Sequence, residues 1–114
     1  MTGLTIQRRQ DGNVGVLTLQ GDISAELIPQ LQAAAQAAVA AGAKHLLVNL
    51  HALGFMDSAS LGALLHLGQA RAKQGGRLVL CSLSAAFQRL IDASGLAGQF
   101  TVAPDEISGR RLLA

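Results

Sequence analysis

The chain has 114 residues, half of them hydrophobic and only 14% charged, with a net charge of +2. That composition argues against disorder, allows one packed core, and is too weakly basic for a nucleic-acid surface. Trp and Tyr, which commonly stack on bases, are absent, and the one cysteine, Cys81, makes no intramolecular disulfide.

The elements follow in chain order. Leu4-Thr5-Ile6-Gln7 alternates apolar with polar and predicts a half-exposed first strand. Asp11-Gly12-Asn13 is a hairpin turn, because these residue types tolerate positive φ. Val14 to Gln20 is the second strand, with Val14, Val16 and Thr18 on one face and Gly15, Leu17 and Leu19 on the other. Ser24 resembles a helix cap, but Pro29 would then fall inside the helix. A start near Leu27 or Ile28 puts Pro29 in the first turn and leaves Gly21 to Ala25 as a loop. Leu31, Ala34, Ala35, Ala38 and Val39 form the apolar stripe, and Gly42 stops the helix. The stretch Ala33 to Ala43 is too short to cross a bilayer, so no membrane insertion is expected. Met1-Thr2-Gly3 shows no signal-peptide pattern, and a reducing, cytoplasmic location is expected.

Leu46-Leu47-Val48-Asn49-Leu50 is a nearly continuous apolar run, expected of a strand covered on both faces and ending at His51. Asn49 within it needs hydrogen-bond partners, expected from the loop at the strand end. Asp57 then caps a helix that runs to Gly75-Gly76, with Ser58 near its first position and its hydroxyl at the surface. On a helical wheel Leu61, Leu64, Leu65, Gly68 and Ala72 face the core. Ala59, Ala63, His66, Leu67, Ala70 and Gln74 face out, and that outer face is small and apolar, as a docking surface would be. Alanine's high helix propensity accounts for the same pattern without any partner. Arg77 to Cys81 is the fourth strand, with Cys81 a buried thiol. Ser84 caps a third helix with Phe87, Leu90, Ile91 and Ser94 inward, and Gly95 ends it. Phe100-Thr101-Val102 is a last strand, and Pro104-Asp105-Glu106 opens a short terminal helix. The order β-β-α-β-α-β-α-β-α gives an open, mixed, largely parallel α/β sheet of about five strands that begins with a hairpin, with about four helices. Ligands of such sheets gather beyond the carboxyl ends of the strands. Asp57-Ser58 lies at one such end, with the Gly21–Ala25 and Ser82–Ser84 loops expected beside it.

The central residues also carry a family likeness. Phe55-Met56-Asp57-Ser58 followed by Leu61-Gly62 resembles the signature of STAS domains of the anti-sigma factor antagonist type. Leu19-Gln20-Gly21-Asp22-Ile23, Val48-Asn49-Leu50, Gly75 to Cys81 and Phe87 to Leu96 are similar to the family's other landmarks, in order and spacing. The resemblance covers most of the chain and implies one STAS domain over residues 1–114. Two positions depart from the pattern. Ser60 stands where the family usually has glycine, which adds a second hydroxyl. Ser24 stands where the early turn often ends in aspartate, which removes a carboxylate.

The residues on their own offer little catalysis. A nucleophilic Ser58 lacks a placed base, since His51 ends a strand and His66 lies two turns up the helix, and there is no Gly-x-Ser-x-Gly elbow. His45, His51 and His66 have no metal-ligand spacing, and no phosphate loop is present, so neither metal nor cofactor is expected. Read locally, Asp57-Ser58 is a helix cap. The resemblance implies more: a non-enzymatic partner switch. Its partners would be an anti-sigma factor that is also a serine kinase of the histidine-kinase-like ATPase class, and a PP2C-type phosphatase. Ser58, or less readily Ser60, would take the phosphate and release the partner. The contact surface would comprise Asp22, Ser24, Asp57, Ser58, Ala59, Ser60, Ala63, His66, Leu67 and Ala70. The competing readings are a non-switching STAS accessory subunit that binds a transporter ATPase, and a purely structural oligomer-forming domain. A monomer or weak dimer is expected.

Overall fold

The computed structural model describes residues 3–114; Met1 and Thr2, which open the stretch read for a signal peptide, lie outside them. Five strands form one sheet in the order of the chain: β1 (Leu4–Asp11), β2 (Val14–Ile23), β3 (His45–Met56), β4 (Leu78–Cys81) and β5 (Thr101–Ala103). β1 and β2 are antiparallel and every later pair is parallel. The hairpin closes at Gly12-Asn13, with Asp11 opposite Val14 and Gly12 at a φ of +60°. The expected mixed α/β sheet is therefore present.

Three helices cover one face: α1 (Ile28–Ala40), α2 (Ser58–Lys73) and α3 (Ala85–Ser94). Leu31 and Ala38 of α1, Leu61 and Leu64 of α2, and Phe87 and Ile91 of α3 pack on Leu17, Leu19, Val48, Leu50 and Leu80. The other inward set, Val14, Val16, Leu47, Val79 and Cys81, meets Leu113 behind the short helix α4 (Glu106–Leu112). Leu46 to Leu50 is buried throughout, as a strand sandwiched on both faces requires. α4 approaches closely because it carries Gly109: a Cβ there would lie 2.6 Å from Leu47 Cδ1. Ion pairs from Arg9 to Glu106 and from Arg110 to Asp11 tie the same helix to β1.

Several boundaries differ from the sequence reading. Ser24 stands at the N-cap position of a 3-10 turn over Ala25–Leu27 without making a side-chain cap bond, and α1 follows with Pro29 in its first turn. Gly21 to Ile23 belongs to β2 rather than to a loop, so the connection there is tighter than expected. β3 runs on to Met56 instead of stopping at His51. Two residues of α2 and α3 assigned to inner stripes, Ala72 and Ser94, are exposed. Ser94 instead donates to the Ile91 carbonyl and accepts from the Leu96 N–H, finishing the helix end together with Gly95 at a φ of +77°. Asn49 finds its partners within β3 and on α4 rather than in a loop at the strand end: its Oδ1 accepts from the His51 N–H at 3.0 Å, and its Nδ2 donates to Glu106 at 3.4 Å.

One contact at the opposite, amino end of the sheet is pH-sensitive. The Arg77 N–H donates to His45 Nδ1 at 3.0 Å, which only a neutral imidazole can accept. Burial, helped by the charges of Lys44 and Arg77, lowers the pKa of His45. The unfolded chain then binds the proton more readily. The stability from this group is complete above the unfolded value of about 6.5 and is lost as pH falls through the lower folded value. An NMR titration of the His45 ring should show a midpoint below about 6.5; a midpoint above it contradicts the neutral acceptor.

Candidate functional site

The site forms where β2 and β3 end and α2 begins. β3 does not reach this end regularly. Between Asn49 and Ala52, and again between Leu53 and Phe55, it spends one residue more than β2 does. Such bulges bend a strand and re-aim its side chains. The extra residue of the later bulge is Gly54, where a Cβ would come 3.1 Å from Asp22 Oδ1. After it the in-out alternation slips. Leu53 and Met56 are buried, and Phe55 is left 52% exposed, three residues before Ser58.

Asp57 holds the corner together. It is the N-cap of α2, in extended conformation. Its Oδ1 accepts from the Ser60 N–H at 2.9 Å and from the Ser60 hydroxyl at 2.7 Å. Its Oδ2 accepts from the Ala25 N–H at 3.0 Å. One carboxylate thus joins the first turn of α2 to the loop after β2. The Ser60 hydroxyl first, then the Ser60 and Ala25 N–H groups, hold the Asp57 carboxyl below the usual carboxylate range against some desolvation. The stability this lends is present above the unfolded value of about 3.9 and is lost as pH falls through the folded one. Asp57→Ala removes all three bonds and should cost about 1 kcal/mol, the usual worth of a solvent-reached N-cap. That amounts to a fall in Tm of about 4 °C. Asp57→Asn keeps one oxygen acceptor and should lose less; thermal melts at pH 7 check the ranking.

The two serines of α2 have opposite situations. Ser58, the first residue of the helix, is exposed. Ser60 is fully buried, with its hydroxyl spent on Asp57. The alternative acceptor Ser60 therefore lies beneath the surface in this fold, whereas Ser58 lies on it. Asp57 also satisfies the Ser60 and Leu61 N–H groups, the latter through its carbonyl at 3.2 Å. The Ser58 and Ala59 N–H groups have no protein acceptor among the described residues.

The expected contact surface divides. Asp22, Ser24, Asp57, Ser58 and Ala59 gather at the carboxyl end, together with Ala25 and Phe55. His66, Leu67 and Ala70 instead line a groove against α1, and Leu67 and Ala63 pack on the core. The residues that the sequence reading left out of the contact surface are Phe55 and Ala25. Among the described residues no group of three His, Cys, Asp or Glu side chains is placed to hold a metal, and no helix is long and apolar enough to cross a membrane.

Known proteins share this fold. An anti-sigma F factor antagonist of Paenibacillus polymyxa is 31% identical over 65 residues, 57% of this chain and 56% of that protein, so the match spans just over half of the relative. The crystal structure of an anti-sigma factor antagonist from Mycobacterium paratuberculosis superposes with a TM-score of 0.85 at 24% identity, covering 97% of this chain and 94% of that one. The antagonist SpoIIAA in its unphosphorylated form gives 0.78 at 23% identity, covering 95% and 96%. The Bacillus SpoIIAA in its phosphorylated form gives 0.72 at 23%, covering 95% and 99%. A family profile for the STAS domain matches residues 5–108, nearly the whole of the fold described above, and the chain belongs to the STAS domain family.

Proposed function

We propose that this STAS domain is an anti-sigma factor antagonist that works by partner switching, with Ser58 as the phosphorylated residue. The observation that carries the reading is the exposed Ser58 hydroxyl at the first position of α2, directly after the Asp57 cap. Relatives named anti-sigma factor antagonists support the general role, and one of them has been solved in both phosphorylation states. The partner is a serine kinase of the histidine-kinase-like ATPase class that is also the anti-sigma factor. The γ-phosphoryl group passes from ATP to Ser58 Oγ, the hydroxyl proton goes to a base of the kinase, and ADP leaves. A PP2C-type phosphatase restores the hydroxyl.

The physics makes Ser58 a switch rather than a lesion. A phosphate at the start of α2 meets free N–H groups and the positive end of the helix dipole, so the fold tolerates it. The rim already carries Asp22, Glu26 and Asp57. Nearly two further negative charges must then be desolvated by any partner that covers the serine, and binding fails.

The test is phosphopeptide mapping after incubation with the cognate kinase and magnesium-ATP. Phosphate on Ser58 with loss of the complex is expected. A chain that stays unmodified and co-purifies with a transporter ATPase would instead be a non-switching accessory subunit.

A further inference from the structure

We propose that the groove between α1 and α2 binds a small amphiphilic carboxylate of the medium-chain fatty-acid kind. This groove is distinct from the Ser58 rim. Ser58 precedes His66 by eight residues of helix, about 12 Å, and Arg71 by about 20 Å. The cavity measures about 540 Å³, inside the range of roughly 300–1,000 Å³ typical of small-ligand sites. Ala35, Val39, Leu46, Leu67 and Ala70 make an apolar wall, and Gln32, Gln36, His66 and Arg71 supply the polar groups.

Charge decides the class of ligand. α1 carries no charged residue, and α2 carries no carboxylate, only His66, Arg71 and Lys73. The half-buried Arg71 has no carboxylate partner among the described residues. An arginine lining an apolar groove, with no ion-pair partner among the described residues, is complementary to an anionic head on an apolar tail. Its planar fork takes a carboxylate through two parallel hydrogen bonds. The slot runs along α1 from Gln32 to Ala40, about 12 Å, which suits a chain of medium length. Arg71 also lies in the last turn of α2, where any cation complements the helix dipole. Arg71→Lys separates the two roles, since lysine keeps the charge and loses the fork.

The probe is decanoate, titrated below its micelle concentration into the full chain and followed by amide NMR. Saturable shifts are expected at Gln32 to Ala40 and at His66 to Arg71. Decanol and decylamine, with the same tail, should bind about tenfold more weakly or worse. Arg71→Gln should weaken decanoate by a similar factor and Arg71→Lys by less. Ala70→Phe, which fills the slot, should abolish binding, with circular dichroism showing the fold retained. Equal affinity for decanoate and decanol overturns the proposal, as does an Arg71→Gln variant that binds unchanged. Light scattering showing that α1 and α2 are covered by a second copy at micromolar concentration overturns it as well.

Discussion

Ser58→Glu should lower affinity for the cognate kinase by about 100-fold or more, while Ser58→Ala binds as the unmodified chain does. Truncating or adding a charge in a buried contact, with no partner to neutralise it, costs about 3–5 kcal/mol. That corresponds to roughly 10²–10⁴ in Kd. The substitution should leave the domain intact. Ser58 is exposed and makes no side-chain hydrogen bond among the described residues, so its replacement removes nothing from the core. A glutamate in the first turn of α2 is favoured by the dipole. Calorimetry of the complex and a thermal melt of the free chain measure the two halves separately. A Ser58→Glu variant that binds the kinase as tightly as the native chain, with an unchanged melt, removes the electrostatic switch. If instead the melt collapses, the loss of binding reports unfolding, and the compatibility of charge with this helix start is wrong.

Much of this corner was legible in the sequence, because its signals are local. Asp11-Gly12-Asn13 closes the hairpin, Pro29 starts α1, Asp57 and Ser84 each cap the helix expected of them, and Pro104-Asp105-Glu106 opens the terminal one. These residues act through their own backbone or through an N–H three residues away, so spacing suffices to read them. The course of β3 beyond His51 was not legible. Its two bulges break the period of two, and Gly54, which permits the later bulge, has the sequence character of a strand terminus. The exposed Phe55 was hidden with it. The faces of α2 were misjudged for a different reason. A wheel assumes one buried direction, whereas α2 packs both on the sheet and against α1. The contact with α1 draws in Ala63, Leu67 and Ala70 and releases Ala72. Ser60 was placed on the contact surface because it lies beside Ser58 in the motif. Its burial follows from its position three residues after the Asp57 cap, where a side chain can reach back as in a capping box.

Phe55→Ala should weaken kinase binding by about 2 kcal/mol or more, roughly thirtyfold, without destabilising the fold to a similar degree. An aromatic ring 52% exposed is unusual in a chain with only 3% aromatic residues. Gly54 leaves the ring outside the core, beside the serine that a partner must cover. Large rigid apolar side chains at the centre of a contact carry most of its energy, because they bury area at little entropic cost. In the free domain the same ring packs little, so its loss should change stability by only about 0.5–1 kcal/mol. The control is Ile107→Ala. Ile107 is 68% exposed, but it belongs to α4, which covers the other face of the sheet. A contact centred on the β3–α2 corner leaves Ile107 free, so that variant should bind unchanged. If Ile107→Ala weakens the complex and Phe55→Ala does not, the partner approaches from the α4 side. Ser58 would then act on it only at a distance, and phosphate could not exclude the partner by direct desolvation.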